Sequence, residues 1–550
     1  MMFDFIIVGA GSAGCVLANR LSETSSNRVL LVEAGPEDRS LSLAIPAAVL
    51  ANLKSTRHNW AFTGEAEPQL NNRRLRHDRG KTLGGSSSIN GMVYIRGHAL
   101  DFDGWQQAGC EGWSYADVLP YFKRMEGYSG GGDAYRGGDG PLKVLRSAVE
   151  NPIFSSFVTA GGQAGYPLTE DINGYLQEGF GRLDSSIHRG RRWSASRAYL
   201  APARRRPNLK VVTGAHVTKI QIEGGHATGI IYRKGARRHH ATARSEVILS
   251  AGAVASPHLL MLSGIGPAAH LGDHGIELVH DLPGVGENLQ DHPDYVMKYE
   301  CTRPVSIWPQ TRFFGRLKAG MQWLVAGTGL CASNQFDVVG CIRSAPGVVF
   351  PDLQLTISPI AVDGETWRPL QMHAFQIHLG LMRAHSRGTI RLRDADASSP
   401  PRISVNYLDD PRDRELMRKG VHHIRELVRQ PAFDDLRGEE IFPGPAVQTD
   451  RDLDESLNAE VTTQWHLSGT ARMGAATDKH AVVDPQGRVH GVAGLRVVDA
   501  SIMPMVTNGN TNSPTIMMAE KLSDAILGRR PLPRDNAEVW INPNHGWSQR

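Results

Sequence analysis

The sequence predicts an α/β fold that begins with a βαβ unit. Residues 5–8 are a short apolar run rich in β-branched side chains, which is typical of a strand buried on both faces. Apolar residues then recur at helical spacing from Ala13 to Leu21, and a second apolar run at 28–32 ends at Glu33. Strand, helix and strand in this order indicate a Rossmann-type sheet.

Three glycines join the first strand to the helix. Gly9, Gly11 and Gly14 have the G-x-G-x-x-G spacing, which permits a tight turn, a close approach by pyrophosphate, and close packing of helix on strand. The helix N-terminus offers N–H groups to phosphates, and Glu33 can accept hydrogen bonds from ribose hydroxyls. These features predict a dinucleotide site. A βαβ unit without a ligand is the alternative, and the glycines alone do not distinguish FAD from NAD.

Two further segments have the composition of ligand-contacting loops. Residues 79–91 are rich in glycine and serine, which suits either close ligand contact or a flexible surface loop. Near the C-terminus, residues 495–498 predict a strand. Pro514 then fits the first position of a helix with Ser513 as N-cap, and Gly528 fits its end. A helix that starts beside the ligand would stabilise negative charge there; one that only completes the core is the alternative.

With these motifs in order, the chain resembles the glucose–methanol–choline (GMC) oxidoreductases, a family of FAD-dependent enzymes. The resemblance extends from Phe3 to about Leu527 and is carried by the glycine fingerprint, residues 80–90, 250–257 and 284–292, and the C-terminal block. Within the family it is strongest to bacterial choline dehydrogenases and FAD-dependent aliphatic alcohol dehydrogenases. It implies a fold that is α+β overall, with a Rossmann-type FAD-binding domain and a discontinuous substrate domain on an antiparallel sheet.

The resemblance also implies how the chain divides into domains. Segments 1–155, 195–295 and 460–530 are expected to form the FAD-binding domain. Segments 156–194 and 296–459 are expected to form the substrate domain, with strands near 351–357 and 388–392 and a helix near 413–427. Residues 531–550 are expected to be a C-terminal tail along the surface.

FAD contacts follow from the family pattern, position by position. Ser86, Ser87 and Asn90 are expected along the isoalloxazine and ribityl part, and Val217 beside the adenine. Ile89 stands where some relatives carry a histidine bonded to the flavin, so the FAD is expected to be non-covalent. The complete set of expected cofactor-binding residues is Gly9, Gly11, Ser12, Ala13, Gly14, Glu33, Ala34, Trp60, Arg79, Leu83, Gly84, Gly85, Ser86, Ser87, Asn90, Gly91, Met92, Val93, Val217, Ala251, Trp465, Asp499, Ala500, Asn510, Thr511 and Thr515.

His466 and Asn510 occupy the two catalytic positions of the family. An imidazole that titrates near neutrality suits removal of a hydroxyl proton while hydride leaves the alcohol carbon for flavin N5. A carboxamide can donate to the substrate oxygen as it becomes alkoxide-like. The expected reaction is oxidation of a primary alcohol to an aldehyde. Several relatives have proline after the histidine, whereas this chain has Leu467.

Asp337 and its neighbours bear on which alcohol is oxidised. By the resemblance, choline dehydrogenases carry a carboxylate for the quaternary ammonium in a Ser-Asn-x-Phe-Glu sequence. Residues 333–337 match this sequence, with the shorter Asp337 in place of the glutamate. Trp60, Phe336 and Trp465 are the candidates to offer aromatic faces to such a cation. Pairing of Asp337 with an arginine is the alternative, and an uncharged aliphatic or aromatic alcohol then stays open.

The electron acceptor is the second open question. The bulk of Gln464 and Trp465 beside the flavin favours a quinone or another acceptor over O2. An alcohol oxidase that uses O2, a lyase or decarboxylase of the same fold, and a flavin-binding protein without catalysis are the alternatives. The last is disfavoured because both catalytic positions are retained.

Composition limits the other partners. With 550 residues, 60 basic and 56 acidic side chains and a net charge of +4, two domains and no strongly charged partner are expected. The arginine clusters lack a nucleic-acid recognition motif. Contact with anionic lipid headgroups is favoured over nucleic-acid binding because the resemblance includes quinone-linked relatives that work at membranes. Five scattered cysteines predict reduced thiols in the cytoplasm and no metal site. Peripheral contact with the inner membrane and the oligomeric state stay open.

Overall fold

The computed structural model describes residues 2–550, and it confirms the α/β fold class with two large sheets. The first sheet has seven strands and contains the predicted βαβ unit. Five of its strands run parallel over at least part of their length: Leu209–Val212, Val29–Val32, Met2–Val8, Arg237–Leu249 and Leu495–Val497. An antiparallel extension of Arg237–Leu249 adds His226–Lys234 and Ala215–Glu223.

The fingerprint glycines show why no other residue fits. Gly9 has a φ of +96°, and a Cβ there would lie 2.6 Å from the carbonyl oxygen of Ser250. A Cβ on Gly14 would lie 1.9 Å from the carbonyl oxygen of Gly9. The absence of a Cβ on Gly9 permits the turn, and its absence on Gly14 lets helix Ser12–Ser22 pack against strand Met2–Val8.

The second sheet has eight strands and is antiparallel except for one short pair. In sheet order its strands are Arg437–Phe442, Pro293–Cys301, Ala374–Leu381, Leu353–Ser358, Val338–Ile342, Gly179–Arg182 and Leu168–Thr169, and Thr462–Thr463 also pairs with Pro293–Cys301. The predicted strand near 388–392 is Thr389–Arg391, which pairs with Arg402–Ser404 outside this sheet. Strand Pro293–Cys301 of this sheet spans the expected domain boundary at 295, and strand Thr462–Thr463 lies beyond the expected boundary at 460.

Smaller sheets and helices cover the two large ones. A four-stranded sheet combines Val93–Tyr94, Asp184–Ser185, Leu142–Arg146 and Glu126–Tyr128, and a hairpin pairs Phe62–Glu67 with Arg73–His77. The longer helices are Ser12–Ser22, Ala99–Gln107, Tyr115–Met125, Pro152–Gln163, Gly252–Leu262, Phe313–Ala326, Pro411–Val428, Asp450–Glu460 and Asn512–Ile526. None of the helices within 2–550 combines the length and apolar character needed to cross a bilayer.

The C-terminal helix begins two residues earlier than predicted. It spans Asn512–Ile526 with Thr511 at the N-cap position, so Ser513 is not the cap and Pro514 is not the first residue. The helix packs on Ser12–Ser22, where the Ser12 hydroxyl donates to Asn512 Oδ1 at 2.7 Å. Further along, Arg20 pairs with the buried Glu520 at 2.8 Å. The first and last long helices of the chain therefore meet beside the glycine fingerprint.

A buried cluster of charges connects the four-stranded sheet to its surroundings. Arg136 is fully buried and pairs with Glu126 at 2.7 Å, with Asp171 at 2.7 Å and with Asp184 at 2.8 Å. Arg96 also reaches Glu126. Removing one partner from such a cluster leaves a buried charge uncompensated, which is far more costly than losing an exposed pair.

Replacing Arg136 with methionine is therefore expected to lower the free energy of unfolding by about 3–5 kcal/mol, as measured by urea denaturation. The matched control is Arg451→Met, because Arg451 and Glu455 pair at 3.0 Å with side chains 86% and 65% exposed. That variant should lose no more than about 1 kcal/mol. Equal effects of the two substitutions would contradict a structural role for the buried cluster.

Candidate active site

Both large sheets contribute to one cavity of about 1700 Å³. The first sheet lines it with residues such as Val32 and Val217, and the second with residues such as Asp294 and His378. Ligand pockets for small molecules commonly measure about 300–1,000 Å³, so this space can hold a dinucleotide together with a substrate.

Most of the predicted site residues line this cavity. They come from both ends and the middle of the chain, as expected for a discontinuous site. The predicted residues at its wall are Gly9, Gly11, Ser12, Ala13, Glu33, Ala34, Trp60, Arg79, Gly85, Ser86, Asn90, Gly91, Met92, Val93, Val217, Ala251, Phe336, Trp465, His466, Asp499, Ala500, Asn510, Thr511 and Thr515.

Four of the expected cofactor-binding residues lie behind the wall instead. Gly14 packs on Gly9, as described above. Leu83 is fully buried in the core, and the Gly84 amide donates to the carbonyl oxygen of Ala10 at 2.7 Å. The Ser87 hydroxyl donates to the Gly84 carbonyl oxygen at 2.6 Å and accepts from the Ala195 amide at 3.0 Å. These contacts shape the loop, and the four residues do not line the cavity, so their contact with the cofactor stays a prediction.

Asp337 is also displaced from its expected role, because it does not line the cavity. Its backbone carbonyl oxygen accepts hydrogen bonds from the Leu183 amide and the Ser147 hydroxyl. Burial raises the pKa of its carboxyl to about 6, against the effect of a hydrogen bond from the Val149 backbone. Within 2–550, it forms no ion pair with an arginine either. The charge of Arg182 nevertheless lowers the pKa of this carboxyl, which supports the arginine alternative, and the role of Asp337 as a cation site stays a prediction.

The cavity wall near the glycine fingerprint is open to a ligand. Apart from adjacent residues of the chain, no protein atom lies within 4 Å of the position that a Cβ would take on Gly91 or on Gly252. The carboxylate of Glu33 accepts hydrogen bonds from the amides of Ala10 at 2.8 Å and Gly35 at 2.7 Å. Burial raises the pKa of Glu33 to about 7, opposed by those same amides. This end of the cavity presents backbone and one oriented carboxyl group.

His466 and Asn510 meet at the opposite end of the same cavity. Nδ2 of Asn510 lies 3.1 Å from Nε2 of His466, and Nδ1 of His466 lies 2.9 Å from Nδ1 of His292. Oδ1 of Asn510 is buried and has no partner among the described residues. If Asn510 donates to Nε2, that nitrogen carries the lone pair and His466 donates from Nδ1 to His292.

Both imidazoles are neutral at neutral pH. Burial, and after it the neighbouring His292 and Arg79, hold the pKa of His466 well below its usual range. Burial lowers the pKa of His292 to about 3, opposed by the backbone of Met382 and Thr507. His466 can therefore accept a proton at Nε2, while His292 stays a hydrogen-bond acceptor.

A buried carboxylate holds the two histidines in place. Oδ1 of Asp291 accepts hydrogen bonds from the amides of His466 at 2.6 Å and His292 at 2.9 Å. Its other oxygen accepts from the hydroxyls of Thr463 and Tyr407. The adjoining backbones also pair, since Gln290 and Ser468 exchange hydrogen bonds at 3.0 and 2.9 Å. This arrangement fixes the position of the His466 ring.

The residue before His466 is strained. Trp465 has a φ of +60°, in the left-handed region that a bulky side chain rarely adopts. The Arg79 guanidinium donates to the Trp465 carbonyl oxygen, and Thr463 Oγ1 accepts from the Trp465 amide at 2.7 Å. The Trp465 Nε1 faces the same cavity wall, buried and unpartnered within 2–550. Such an orphaned donor suits a bound ligand.

Sequence reasoning missed a second polar group in the cavity, centred on Asp294. Oδ2 of Asp294 lies 2.8 Å from Nδ1 of His378, and Oδ1 accepts from Nε2 of Gln464 at 3.2 Å. The His378 ring contacts Phe336, and Trp465 contacts Trp367. His292 ends the 284–292 motif and Asp294 lies two residues beyond it, but only the pairing of distant segments shows their positions in the cavity.

Comparison with known proteins identifies the family. Residues 3–294 match the N-terminal domain of the GMC oxidoreductases, and residues 384–519 match their C-terminal domain. The chain belongs to the GMC oxidoreductase family. The oxygen-dependent choline dehydrogenase of Sinorhizobium fredii is 50% identical over 550 residues, covering 100% of both chains.

Solved structures of oxidases superpose over nearly the whole chain. Pyridoxine 4-oxidase from Mesorbium loti has a TM-score of 0.87 at 30% identity and covers 96% of this chain and 100% of its own. Formate oxidase from Aspergillus oryzae RIB40 has a TM-score of 0.89 at 26% identity and covers 96% and 98%. This GMC oxidoreductase is thus a flavoprotein oxidoreductase with FAD as its cofactor.

The residues present fit FAD. The wall is open at Gly91 and Gly252, which leaves room for a flat, elongated ligand. The backbones of Gly11 and Gly85 lie so close that a Cβ on Gly85 would come within 2.7 Å of the Gly11 Cα. Glu33 can hold the ribose, Val217 the adenine, and the first turn of helix Asn512–Ile526 faces the cavity through Thr515. The orphaned Trp465 Nε1 and Asn510 Oδ1 lie at the other end.

The contact between His292 and His466 is expected to support catalysis by holding the His466 ring. His292→Leu removes the acceptor for the His466 Nδ1–H, so kcat should fall about tenfold to a hundredfold with little change in KM. His292→Asn supplies an oxygen at a similar position and should recover most of the activity. Steady-state kinetics of both FAD-loaded variants check this, and equal losses in the two would indicate a role in packing alone.

Proposed function

We propose that the protein oxidises a primary alcohol to an aldehyde, with choline as the best-supported substrate. The observation that carries this proposal is the neutral His466 Nε2 lying 3.1 Å from the Asn510 carboxamide at the wall of the FAD cavity. FAD, when bound, supplies the acceptor for the hydride that leaves the alcohol carbon. The curated relative at 50% identity is named a choline dehydrogenase, which supports this substrate class.

The chain's own residues account for the proton. An alcohol hydroxyl that takes the place of the Asn510–His466 contact can donate to His466 Nε2 and accept from Asn510 Nδ2. His466 removes the hydroxyl proton at Nε2, and its Nδ1–H keeps the bond to His292. Asn510 stabilises the negative charge that develops on the oxygen without itself taking a proton. His466 is buried and Asn510 is half-buried, so access of water to the transferred proton is limited.

We also infer that the FAD is held without a covalent bond. Ile89 stands at the position of the flavin-linked histidine of some relatives, and its apolar side chain lines the cavity. An alkyl side chain offers no nucleophile for such a bond. Affinity must then come from the many contacts along the cavity wall.

Asp294 replaces Asp337 as the carboxylate proposed to bind a cationic substrate. It is 5% exposed, lines the cavity, and is connected through Gln464 to the loop that carries His466. Phe336, Trp367 and Trp465 line the same wall and can offer aromatic faces to a quaternary ammonium. Charge and aromatic surface together favour choline over an uncharged alcohol.

The proposed acceptor of the electrons is a quinone, and O2 is the second candidate. Gln464 and Trp465 line the cavity wall next to His466, and we propose that their bulk shields the flavin from O2. O2 is favoured instead by the printed name of the curated relative, an oxygen-dependent dehydrogenase, and by the two oxidases among the solved structures. Turnover with choline in air, and without air in the presence of a soluble quinone, separates the two.

Anaerobic addition of choline to the yellow holoenzyme should bleach its visible absorbance. His466→Ala is expected to slow this bleaching about 100-fold to 10,000-fold, and Asn510→Ala about 100-fold to 1,000-fold. His240→Ala, at an exposed histidine, is the matched control and should keep the wild-type rate. Acid extraction of each variant should release the FAD into solution and verify equal loading. Near-normal bleaching by loaded His466→Ala would refute the proposal.

Substrate charge can be tested separately at Asp294. Asp294→Asn keeps the shape but removes the charge, so kcat/KM for choline should fall at least about tenfold while that for a neutral alcohol of similar size changes little. Tetramethylammonium should compete with choline in the wild type and compete weakly in the variant. Asp337→Asn is the matched control and should behave as the wild type. Equal losses for charged and neutral alcohols would contradict cation binding at Asp294.

A further inference from the structure

Helix Phe313–Ala326 carries the largest run of exposed apolar side chains on the molecule. Of its fourteen residues, only Ala319 and Trp323 are buried. The exposed fractions of its large apolar residues run from 55% to 88%, which is unusual for a soluble protein surface. These residues are Phe313, Phe314, Leu317, Met321, Leu324 and Val325, and we call them the apolar face.

The apolar face is continuous. At about 100° per residue, its six members fall within an arc of about 120° on one side of the helix. Ala319 and Trp323 lie on the opposite side, where Trp323 Nε1 donates to the Gly190 carbonyl oxygen at 2.6 Å. The helix is therefore fixed to the protein by one side and exposes an apolar strip on the other.

Positive charge surrounds this strip. Residues 301–336 contain Arg303, Arg312, Arg316 and Lys318 and no aspartate or glutamate. All four of these side chains are exposed, and Arg191, also exposed, stacks on Trp323 with its guanidinium carbon 4.8 Å from the ring centroid. An apolar strip on a segment whose charged residues are all basic matches the interface of a bilayer that contains anionic lipid.

The same helix forms part of the FAD cavity. Arg316, Ala319 and Gly320 line that cavity, together with Gln310 and Thr311 just before the helix. A surface that binds the apolar face would therefore lie next to the cavity wall. An apolar acceptor dissolved in the bilayer would meet the cavity without crossing water.

We propose that helix Phe313–Ala326 docks the protein on an anionic membrane surface, with its apolar face in the headgroup region and its basic residues on the phosphates. Binding itself requires no catalysis. The consequence for the acceptor, delivery of electrons to a bilayer quinone, rests on the proposed function.

Co-sedimentation of the holoenzyme with lipid vesicles tests the docking. Wild-type protein should pellet with vesicles of phosphatidylglycerol and phosphatidylcholine, and at least about tenfold less with phosphatidylcholine alone. The triple variant Phe314→Ser, Leu317→Ser, Leu324→Ser and the charge variant Arg312→Glu, Lys318→Glu should each weaken binding at least about tenfold. High salt should weaken wild-type binding as well.

Matched variants control for general changes in surface. Leu168→Ser with Trp547→Ser removes apolar side chains that are 56% and 75% exposed elsewhere, and Arg237→Glu with Arg238→Glu reverses two exposed charges outside the helix. Both should bind anionic vesicles as the wild type does. Absence of wild-type binding, or equal losses in control and helix variants, would overturn the proposal.

Two further readouts separate the remaining explanations. Light scattering reports whether a second copy covers the apolar face: a dimer that the triple variant converts to monomers, without vesicle binding, would also overturn the proposal. Choline oxidation with a water-soluble dye should be unchanged in the helix variants, whereas reduction of a vesicle-bound quinone should fall about tenfold. If the wild type does not oxidise choline with the dye, the proposed function is refuted. The vesicle-binding result then still decides whether the helix docks on a membrane.

Discussion

The buried carboxylate of Asp291 is the constraint on which the site depends. Burial of this group raises its pKa, and four hydrogen bonds from backbone amides and hydroxyls offset the cost. Two of those donors are the amides of His292 and His466, so one side chain fixes both imidazoles. The strained backbone at Trp465 is tolerated because the same network holds the residues on either side of it.

This network can form only because the chain closes on itself. Leu495–Val497 joins the N-terminal sheet as a parallel neighbour of Val247–Leu249, which brings the C-terminal segments beside the glycine fingerprint. The contact of Ser12 with Asn512 and the pairing of Arg20 with Glu520 then join the first and last long helices. Asn510 lies just before that last helix, so its position follows from the helix packing rather than from a local motif.

The sequence could predict what local patterns determine. The βαβ unit, the roles of Gly9 and Gly14, and the C-terminal strand follow from periodicity and from backbone sterics, and the structure has all of them. Side-chain direction within the serine-rich loop does not follow, since Ser86 and Ser87 are adjacent and only Ser86 lines the cavity. The start of the last helix was also misplaced, because Thr511 occupies the cap position without a side-chain hydrogen bond.

The different positions of Asp337 and Asp294 relative to the cavity show a second limit of sequence reasoning. Asp337 sits in a motif that resembles the family's cation site, yet the pairing of strand Val338–Ile342 with Gly179–Arg182 leaves its carboxyl outside the cavity. Asp294 has no local signal and depends on the register of strand Pro293–Cys301 within the second sheet. Which acid faces the cavity is thus a property of sheet register, which a single sequence does not encode locally.

The position of Asp294 also bears on the base. A quaternary ammonium in the cavity would place a positive charge near His466. The pKa of His466 is already held low by burial and by its neighbours His292 and Arg79. Such a charge opposes uptake of the hydroxyl proton, since like charges repel strongly in a site without water. A carboxylate at Asp294, which accepts a hydrogen bond from Gln464 two residues before His466, would offset that charge. If Asp294 binds a cationic alcohol as proposed, it would therefore also preserve the basicity of His466 once the alcohol is bound.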